Sequence, residues 1–77
     1  VYVTLDLDVL DPSVFPGTGT PEAGGVTFME LLEALKKVSK LNVVAFDMNE
    51  LSPIYDQSGS STALACKLLR EILLMLS

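Results

Sequence analysis

The sequence has no histidine, no tryptophan, one cysteine and only five basic residues among its 77. Without histidine, the chain offers no imidazole that could activate Cys66, so we expect this residue in the core. A single cysteine cannot form an internal disulfide, and the cysteine content therefore gives no sign of secretion. Ten acidic residues bring the net charge to −5. This charge argues against nucleic acid as a partner, because phosphates require a basic surface.

Length and hydropathy set further limits. The apolar run near residue 77 is interrupted by Lys67, Arg70 and Glu71, so it is too short and too charged to span a bilayer, and we expect no membrane partner. A chain of this size forms at most one domain with a small core. It also begins within an apolar, β-branched segment and without an initiator Met. We therefore expect residues 1–77 to be the C-terminal, incomplete part of one domain of a larger protein.

Two kinds of segment alternate along the chain. Residues 1–7 and 42–47 are continuous apolar, β-branched runs, typical of buried parallel strands. Thr27 and Glu30 have the spacing of a capping box and predict a helix that starts at Thr27. A second helix is predicted over residues 61–76, with so narrow a polar stripe that it should pack against more protein than this chain supplies. The β-α-β-α order predicts an α/β fold with a parallel sheet covered by helices.

Acidic residues follow both predicted strands. Asp6 and Asp8 come at the end of the first strand, and Asp47 and Glu50 at the end of the second. Because parallel strands carry their carboxyl ends to one edge, we expect these acids on a common rim. Asp6 and Asp8 could turn toward a shared cation, and hard carboxylate oxygens suit Mg²⁺ or Mn²⁺ in a two-metal hydrolytic site. Asp47 is better placed to orient its neighbours.

Each acidic residue also has a simpler interpretation. Asp8 and Asp11 could merely cap the turn before the first proline. Glu50 could hold a cationic group through a bidentate pair of hydrogen bonds, or end its strand in solvent. Glu22 and Asp56 are interpreted as surface acids of the loops. The residues alone leave these alternatives open.

The stretch TLDLDVLDPSVFPGTGTPEAGG resembles the third signature of the ureohydrolase family, which includes arginases and agmatinases. The fixed positions of that pattern correspond here to Thr4, Leu5, Asp6, Leu7, Asp8, Pro12, Pro16, Gly17 and Gly25. The later stretch FDMNELSPIYDQSGSSTALACKLLREIL resembles the family's last strand, substrate loop and final helix. The resemblance covers nearly the whole chain and implies a three-layer α/β/α, arginase-like parallel-sheet fold, of which this chain is the β-α-β-α portion.

The resemblance also implies a role for each site residue. Asp6 would bridge two Mn²⁺ ions and Asp8 would chelate one of them. Glu50 would bind the substrate guanidinium, and Thr20 would help to shape the substrate pocket. A metal-bridging hydroxide would attack the guanidinium carbon and release urea, which makes Asp6, Asp8 and Glu50 the expected catalytic residues.

Within the family, the PGTGTPE and YDQSG stretches look more like agmatinase than arginase. The implied reaction is hydrolysis of agmatine to putrescine and urea, with arginase or guanidinobutyrase activity as the alternative. The family further implies a cytoplasmic homo-oligomer, a trimer or hexamer. Its remaining metal ligands belong to a Gly-Gly-Asp-His and an Asp-Ala-His-x-Asp segment, and neither is present in this sequence. The 77 residues alone should therefore be inactive.

Two readings from other classes remain. An apolar run followed by Asp-x-Asp also resembles the nucleophile motif of haloacid-dehalogenase-like phosphatases, but that motif continues Gly-Thr/Val-Leu and gives no role to PGTGTPEAGG. Alternatively, the chain is a non-catalytic metal-binding or interaction remnant of the family fold. The missing histidine ligands favour this second reading if the 77 residues are the entire protein.

Overall fold

The order of elements along the chain agrees with the predicted β-α-β-α arrangement. The computed structural model describes residues 1–77. Its elements are β1 (Tyr2–Asp6), a 3-10 turn (Leu7–Val9), α1 (Phe28–Val38), β2 (Ala45–Asn49), a second 3-10 turn (Pro53–Tyr55) and α2 (Ser60–Leu76). Neither α-helix has the combination of length and apolar character needed to cross a membrane.

The two strands form a parallel sheet, as predicted. Their register runs from Tyr2 opposite Ala45 to Asp6 opposite Asn49. The strand boundaries differ from those expected, 1–7 and 42–47. β1 ends at Asp6 because the chain turns into a 3-10 helix, and β2 lies further along because ladder pairing starts only at Ala45. Residues 42–44 are β-branched in part but remain outside the ladder.

The sheet has one apolar and one polar face, which corrects the prediction that β1 is buried throughout. Leu5 is the only buried residue of β1, while Tyr2, Thr4 and Asp6 are exposed. Side chains alternate across a strand, so the residues on either side of Leu5 point away from the helices. The apolar run hid this alternation because Tyr2 and Thr4 also have high β propensity.

Helix α1 begins with the predicted capping box. The Thr27 hydroxyl accepts a hydrogen bond from the Glu30 amide at 3.1 Å, and the Glu30 carboxylate accepts one from the Thr27 amide at 2.9 Å. These two bonds satisfy donors that the first helical turn leaves without an intrahelical partner. Three leucines of α1 are buried: Leu31, Leu32 and Leu35.

Both helices pack on the apolar face of the sheet, together with the loop that follows β1. The core comprises Leu5, Leu7, Leu10, Phe15, Leu31, Leu32, Leu35, Ala65, Leu68 and Ile72. Phe15 and Leu68 are 0% exposed. Since Phe15 belongs to the loop rather than to a helix or strand, the long segment between β1 and α1 is anchored in the core instead of lying over it.

The outer side of α2 remains uncovered. Leu69, Leu73 and Leu74 are exposed, in keeping with the narrow polar stripe. Cys66 is exposed as well, which corrects its assignment to the core. It lines an open groove along β2, next to Ala65 and Leu69.

Candidate functional site

The carboxyl ends of the two strands bring Asp6 and Glu50 to one rim. Asp6 is opposite Asn49 in the ladder, and Glu50 follows directly after Asn49. Glu50 therefore directly follows the observed strand, which ends at Asn49 and not at residue 47 as predicted. Its φ of 77° is the only left-handed conformation among the non-glycine residues. Such strain costs energy and is concentrated at functional sites in proteins.

Asp8 and Thr20 are joined by a hydrogen bond. Asp8 lies in the 3-10 turn after β1 and is half-buried, because Leu7 beside it enters the core. The Thr20 hydroxyl donates to Asp8 Oδ2 at 2.8 Å, across twelve residues of sequence. A polar surface recess of about 260 Å³ lies beside Asp8 and is lined by residues 22–25 of the same loop. Thr20 thus contacts a predicted metal ligand.

Asp47 does not lie on the rim, contrary to the sequence-based expectation. It is opposite Thr4 within the ladder. Its carboxylate accepts hydrogen bonds from the Thr4 hydroxyl at 2.6 Å, from the Asn49 side-chain amide at 2.5 Å and from the Tyr2 hydroxyl. Asp47 therefore cross-links β1 and β2 on the polar face. The side chains next to Asp6 are committed to Asp47, and none of them donates to Asp6.

Asp11 fixes the turn that follows, as the simpler interpretation predicted. Its carboxylate accepts from the amide and hydroxyl of Ser13, at 3.0 and 2.5 Å, and from the Gly24 amide at 3.0 Å. These bonds, that of the Ser13 hydroxyl foremost, lower the pKa of Asp11. Asp8 takes no part in this turn. At Gly25, a Cβ would lie 2.6 Å from the Asp11 nitrogen, so the loop can close only on a glycine.

Asp56 is not the free surface acid expected from the sequence. It is half-buried, and its two oxygens accept from the amides and hydroxyls of Ser58 and Ser61. The Ser58 hydroxyl contributes most, and together these bonds lower the pKa of Asp56 to about 2. Ser61 is 0% exposed, and its hydroxyl also accepts from the Gly17 amide at 2.9 Å.

Sequence reasoning missed this Asp56–Ser61–Gly17 connection. The only local signal was an Asp-x-Ser-Gly stretch directly before a helix, which is typical of helix capping. Nothing local indicates that Gly17, 44 residues earlier, is the partner of Ser61. The close approach leaves no room at Gly17, where a Cβ would lie 2.7 Å from the Cβ of Ser61.

The donor set fits a hard cation in part. Asp6 has a carboxylate without a hydrogen-bond partner, and Asp8 has one oxygen engaged by Thr20 and the other free. Carboxylate oxygens are the ligands that Mg²⁺ and Mn²⁺ prefer. No group of three or more histidine, cysteine, aspartate or glutamate side chains lies close enough together to hold a metal ion. Two ligands could come from this chain, and the others would have to come from elsewhere.

The fold and the rim define a class: an α/β protein whose free carboxylates gather at the carboxyl ends of parallel strands. The Arginase family model matches residues 1–75. An agmatinase from Bacillus cereus is 51% identical over 76 residues, which are 96% of this chain and 26% of that protein.

Solved structures give the same result. Proclavaminate amidinohydrolase from Streptomyces clavuligerus superposes with a TM-score of 0.91 at 45% identity, covering 99% of this chain and 25% of that one. Arginase from Bacillus caldovelox superposes with a TM-score of 0.83 at 34% identity, covering 94% and 24%. The chain belongs to the arginase family, has its α/β fold, and spans about a quarter of the length of these relatives.

Proposed function

We propose that the whole protein carrying this chain hydrolyses a guanidino compound, with agmatine as the first candidate, and requires two Mn²⁺ ions. The observation that carries the proposal is the parallel register of β1 and β2. It places Asp6, a carboxylate free to bind a cation, on the same rim as Glu50, a second free carboxylate. One acid suits a metal and the other a cationic substrate, so a single edge of the sheet can serve both.

Glu50 is proposed to bind the guanidinium. Its side chain is exposed and held at the strand end by a left-handed backbone conformation. A carboxylate can accept two parallel N–H bonds from a planar guanidinium, which fixes both the position and the orientation of the substrate. A carboxylate already engaged by the chain, as Asp47 is, would not be available for this role.

Asp6 and Asp8 are proposed to supply part of the metal site, and the remaining ligands would come from outside the 77 residues. When bound, Mn²⁺ would supply the acidity that makes water a nucleophile near neutral pH. In the overall reaction, water adds to the guanidinium carbon, the bond from that carbon to the substituted nitrogen breaks, and that nitrogen takes up the proton. The products from agmatine are urea and putrescine.

Agmatine is favoured over arginine by similarity. The chain is 51% identical to the Bacillus cereus agmatinase and 34% identical to the Bacillus caldovelox arginase. Since both substrates present the same guanidinium to Glu50, the choice rests on loops that contact the far end of the substrate. We extend the proposal to a cytoplasmic homo-oligomer, a trimer or hexamer, with no nucleic acid partner. The net charge of −5 supports the last point.

The test is urea release from agmatine and from arginine by the whole protein, with Mn²⁺ and after its removal by a chelator. We expect Mn²⁺-dependent urea release, faster from agmatine. Faster release from arginine would favour the arginase alternative. No urea from any guanidino compound would contradict the proposal and favour a non-catalytic remnant of the family fold.

Glu50→Gln provides a second arm of the same experiment. The substitution retains the shape of the side chain and removes its charge, so turnover should fall steeply while Mn²⁺ still binds. Loss of Mn²⁺ binding in Glu50→Gln would assign Glu50 to the metal instead of the substrate.

A further inference from the structure

The loop that carries Thr20 is connected to the loop after β2 through Gly17. The Gly17 amide donates to the Ser61 hydroxyl at 2.9 Å, and the Gly17 carbonyl accepts from the Ser52 amide at 2.7 Å. Both polar groups of this one residue are therefore satisfied, the carbonyl by the segment that links β2 to α2 and the amide by the first turn of α2. The two loops are held together at a single glycine with no space for a side chain.

Ser61 is fully oriented by its surroundings. A hydroxyl has one hydrogen to donate, and Ser61 donates it to Asp56 Oδ2 at 2.6 Å. Its lone pairs then face the Gly17 amide. With 0% exposure, the hydroxyl has no water to replace either partner, so removing it would leave the Gly17 donor without an acceptor.

A short relay leads from Gly17 to Asp8. Thr18, the next residue, is 3% exposed, and its hydroxyl accepts from the Thr20 amide at 3.4 Å. The Thr20 hydroxyl donates its single hydrogen to Asp8 at 2.8 Å, so in the 3.5 Å contact between the two threonine hydroxyls Thr18 is the donor. Each hydroxyl in the relay consequently has one assigned direction.

We infer that Asp56 and Ser61 are positioning residues for the metal site: they hold the loop so that Thr20 can fix the carboxylate of Asp8. The inference rests on the proposed function in one respect, the assignment of Asp8 as a metal ligand. Hydrogen bonds to a ligating carboxylate orient it for the metal, and removing such partners typically lowers metal affinity 10- to 100-fold. Thr20 then contributes to the site by orienting the metal ligand Asp8, and not only by shaping the substrate pocket.

The test measures binding of Mn²⁺ alone, by titration calorimetry, to the metal-free whole protein and its variants. Ser61→Ala is expected to weaken Mn²⁺ binding about 10-fold. The matched control is Ser60→Ala, the same chemical change at an exposed neighbour whose hydroxyl makes no hydrogen bond. The hydrogen bond from the backbone amide of residue 60 to the Ser58 hydroxyl is retained in this variant. Ser60→Ala should change the affinity less than about twofold. Equal affinities for folded Ser61→Ala and Ser60→Ala would overturn the inference.

A double-mutant cycle with Thr20→Val tests whether Ser61 acts through Thr20. Thr20→Val removes the hydroxyl of an exposed residue and keeps its shape. If the relay is correct, Ser61→Ala weakens Mn²⁺ binding less than about twofold further in the Thr20→Val background. Additive losses would overturn the relay, because they would mean that Ser61 affects the site by general loosening of the structure.

Two further arms keep the outcome decidable. If Ser61→Ala does not fold, Asp56→Asn replaces it, with Glu33→Gln on the exposed side of α1 as the charge-matched control. Urea release is measured on the same samples. If Ser61→Ala weakens Mn²⁺ binding but the wild-type protein releases no urea, the proposed function is overturned and the positioning role is supported. If the wild-type protein releases urea but Ser61→Ala leaves the Mn²⁺ affinity unchanged, the proposed function is supported and the positioning role is overturned.

Discussion

The two loops that leave the carboxyl ends of the strands begin their turns with the same device and use it differently. In each, an aspartate accepts from the amide and hydroxyl of the serine two residues on: Asp11 from Ser13, and Asp56 from Ser58. The other carboxylate oxygen of Asp11 accepts a hydrogen bond from the Gly24 amide, so the first loop closes on itself. The other carboxylate oxygen of Asp56 accepts hydrogen bonds from Ser61, whose hydroxyl in turn accepts one from Gly17 in the first loop.

The comparison separates two kinds of carboxylate. Asp11 and Asp56 accept three and four hydrogen bonds from the chain, and their pKa values are lowered accordingly. Asp6 and Glu50 are exposed, and their neighbours donate elsewhere. Asp11 and Asp56 maintain the loops, whereas Asp6 and Glu50 are available to a metal or a guanidinium; Asp8, with one oxygen engaged by Thr20 and one free, is intermediate. The number of hydrogen bonds received, more than charge or sequence position, distinguishes the two kinds.

The largest expected effect comes from exchanging one carboxylate of each kind for an amide in the whole protein. Asp6→Asn should lower Mn²⁺-dependent urea release more than about 100-fold, since a ligand should matter at least as much as the partners that orient it. The free energy of unfolding without metal should change by less than about 0.5 kcal/mol. Asp11→Asn should do the opposite, with a lower Tm and most of the Mn²⁺ affinity retained. Calorimetry measures the stability and the Mn²⁺ affinity of both variants, and a urea assay measures their activity. A stable, fully active Asp6→Asn variant would remove Asp6 from the metal site.

The next effect probes how the first loop closes. In Gly25→Ala the new Cβ would lie 2.6 Å from backbone atoms of Val9 and Asp11, and a backbone cannot give way as a flexible side chain can. We expect destabilisation of about 1–3 kcal/mol, as for overpacked sites. At Gly19 the nearest atom is a Tyr55 ring carbon at 3.6 Å, so Gly19→Ala serves as the control and should be nearly neutral. Urea denaturation measures both, and similar stabilities would contradict the close approach.

Local features of this fold were predictable from the sequence, and tertiary ones were not. The Thr27–Glu30 capping box was predictable because both partners lie within one helical turn. The boundaries of β2 were not, because they depend on where β1 offers a partner. The acids of the rim were predictable from the parallel strand order. The expectation that Asp47 orients its neighbours is confirmed, but its placement on the rim was wrong, and Asp56 was wrongly interpreted as a surface acid. Their hydrogen-bond partners, such as Thr4 and Ser61, are set by folding and not by the immediate sequence context.

A smaller effect concerns acid stability. The pKa of Asp56 is about 2, below the ordinary value of 3.8, so its hydrogen bonds stabilise the fold fully above pH 4. This contribution is lost as the pH falls from about 4 to about 2, because the carboxylate takes up its proton first in the unfolded state, which is thereby stabilised relative to the folded state. The stability difference between wild type and Asp56→Asn should therefore be largest above pH 4 and fade near pH 2. A difference that stays constant with pH in denaturation curves would contradict the lowered pKa.

The smallest effect compares the two serines of the shared device. Ser13→Ala and Ser58→Ala each delete one hydroxyl donor and retain the serine amide that also binds the aspartate. Ser58→Ala additionally removes the acceptor of the exposed Ser60 amide. In either variant Tm should fall by only a few degrees, because the deleted hydrogen bonds are exposed and the aspartate keeps two or three others. Mn²⁺ affinity separates them: Ser13→Ala should leave it unchanged, while Ser58→Ala should weaken it slightly, by about twofold, because Asp56 also orients Ser61. Equal affinities in the two variants would mean that Ser61 stays in place without help from Ser58, and that the link between the loops begins at Ser61 itself.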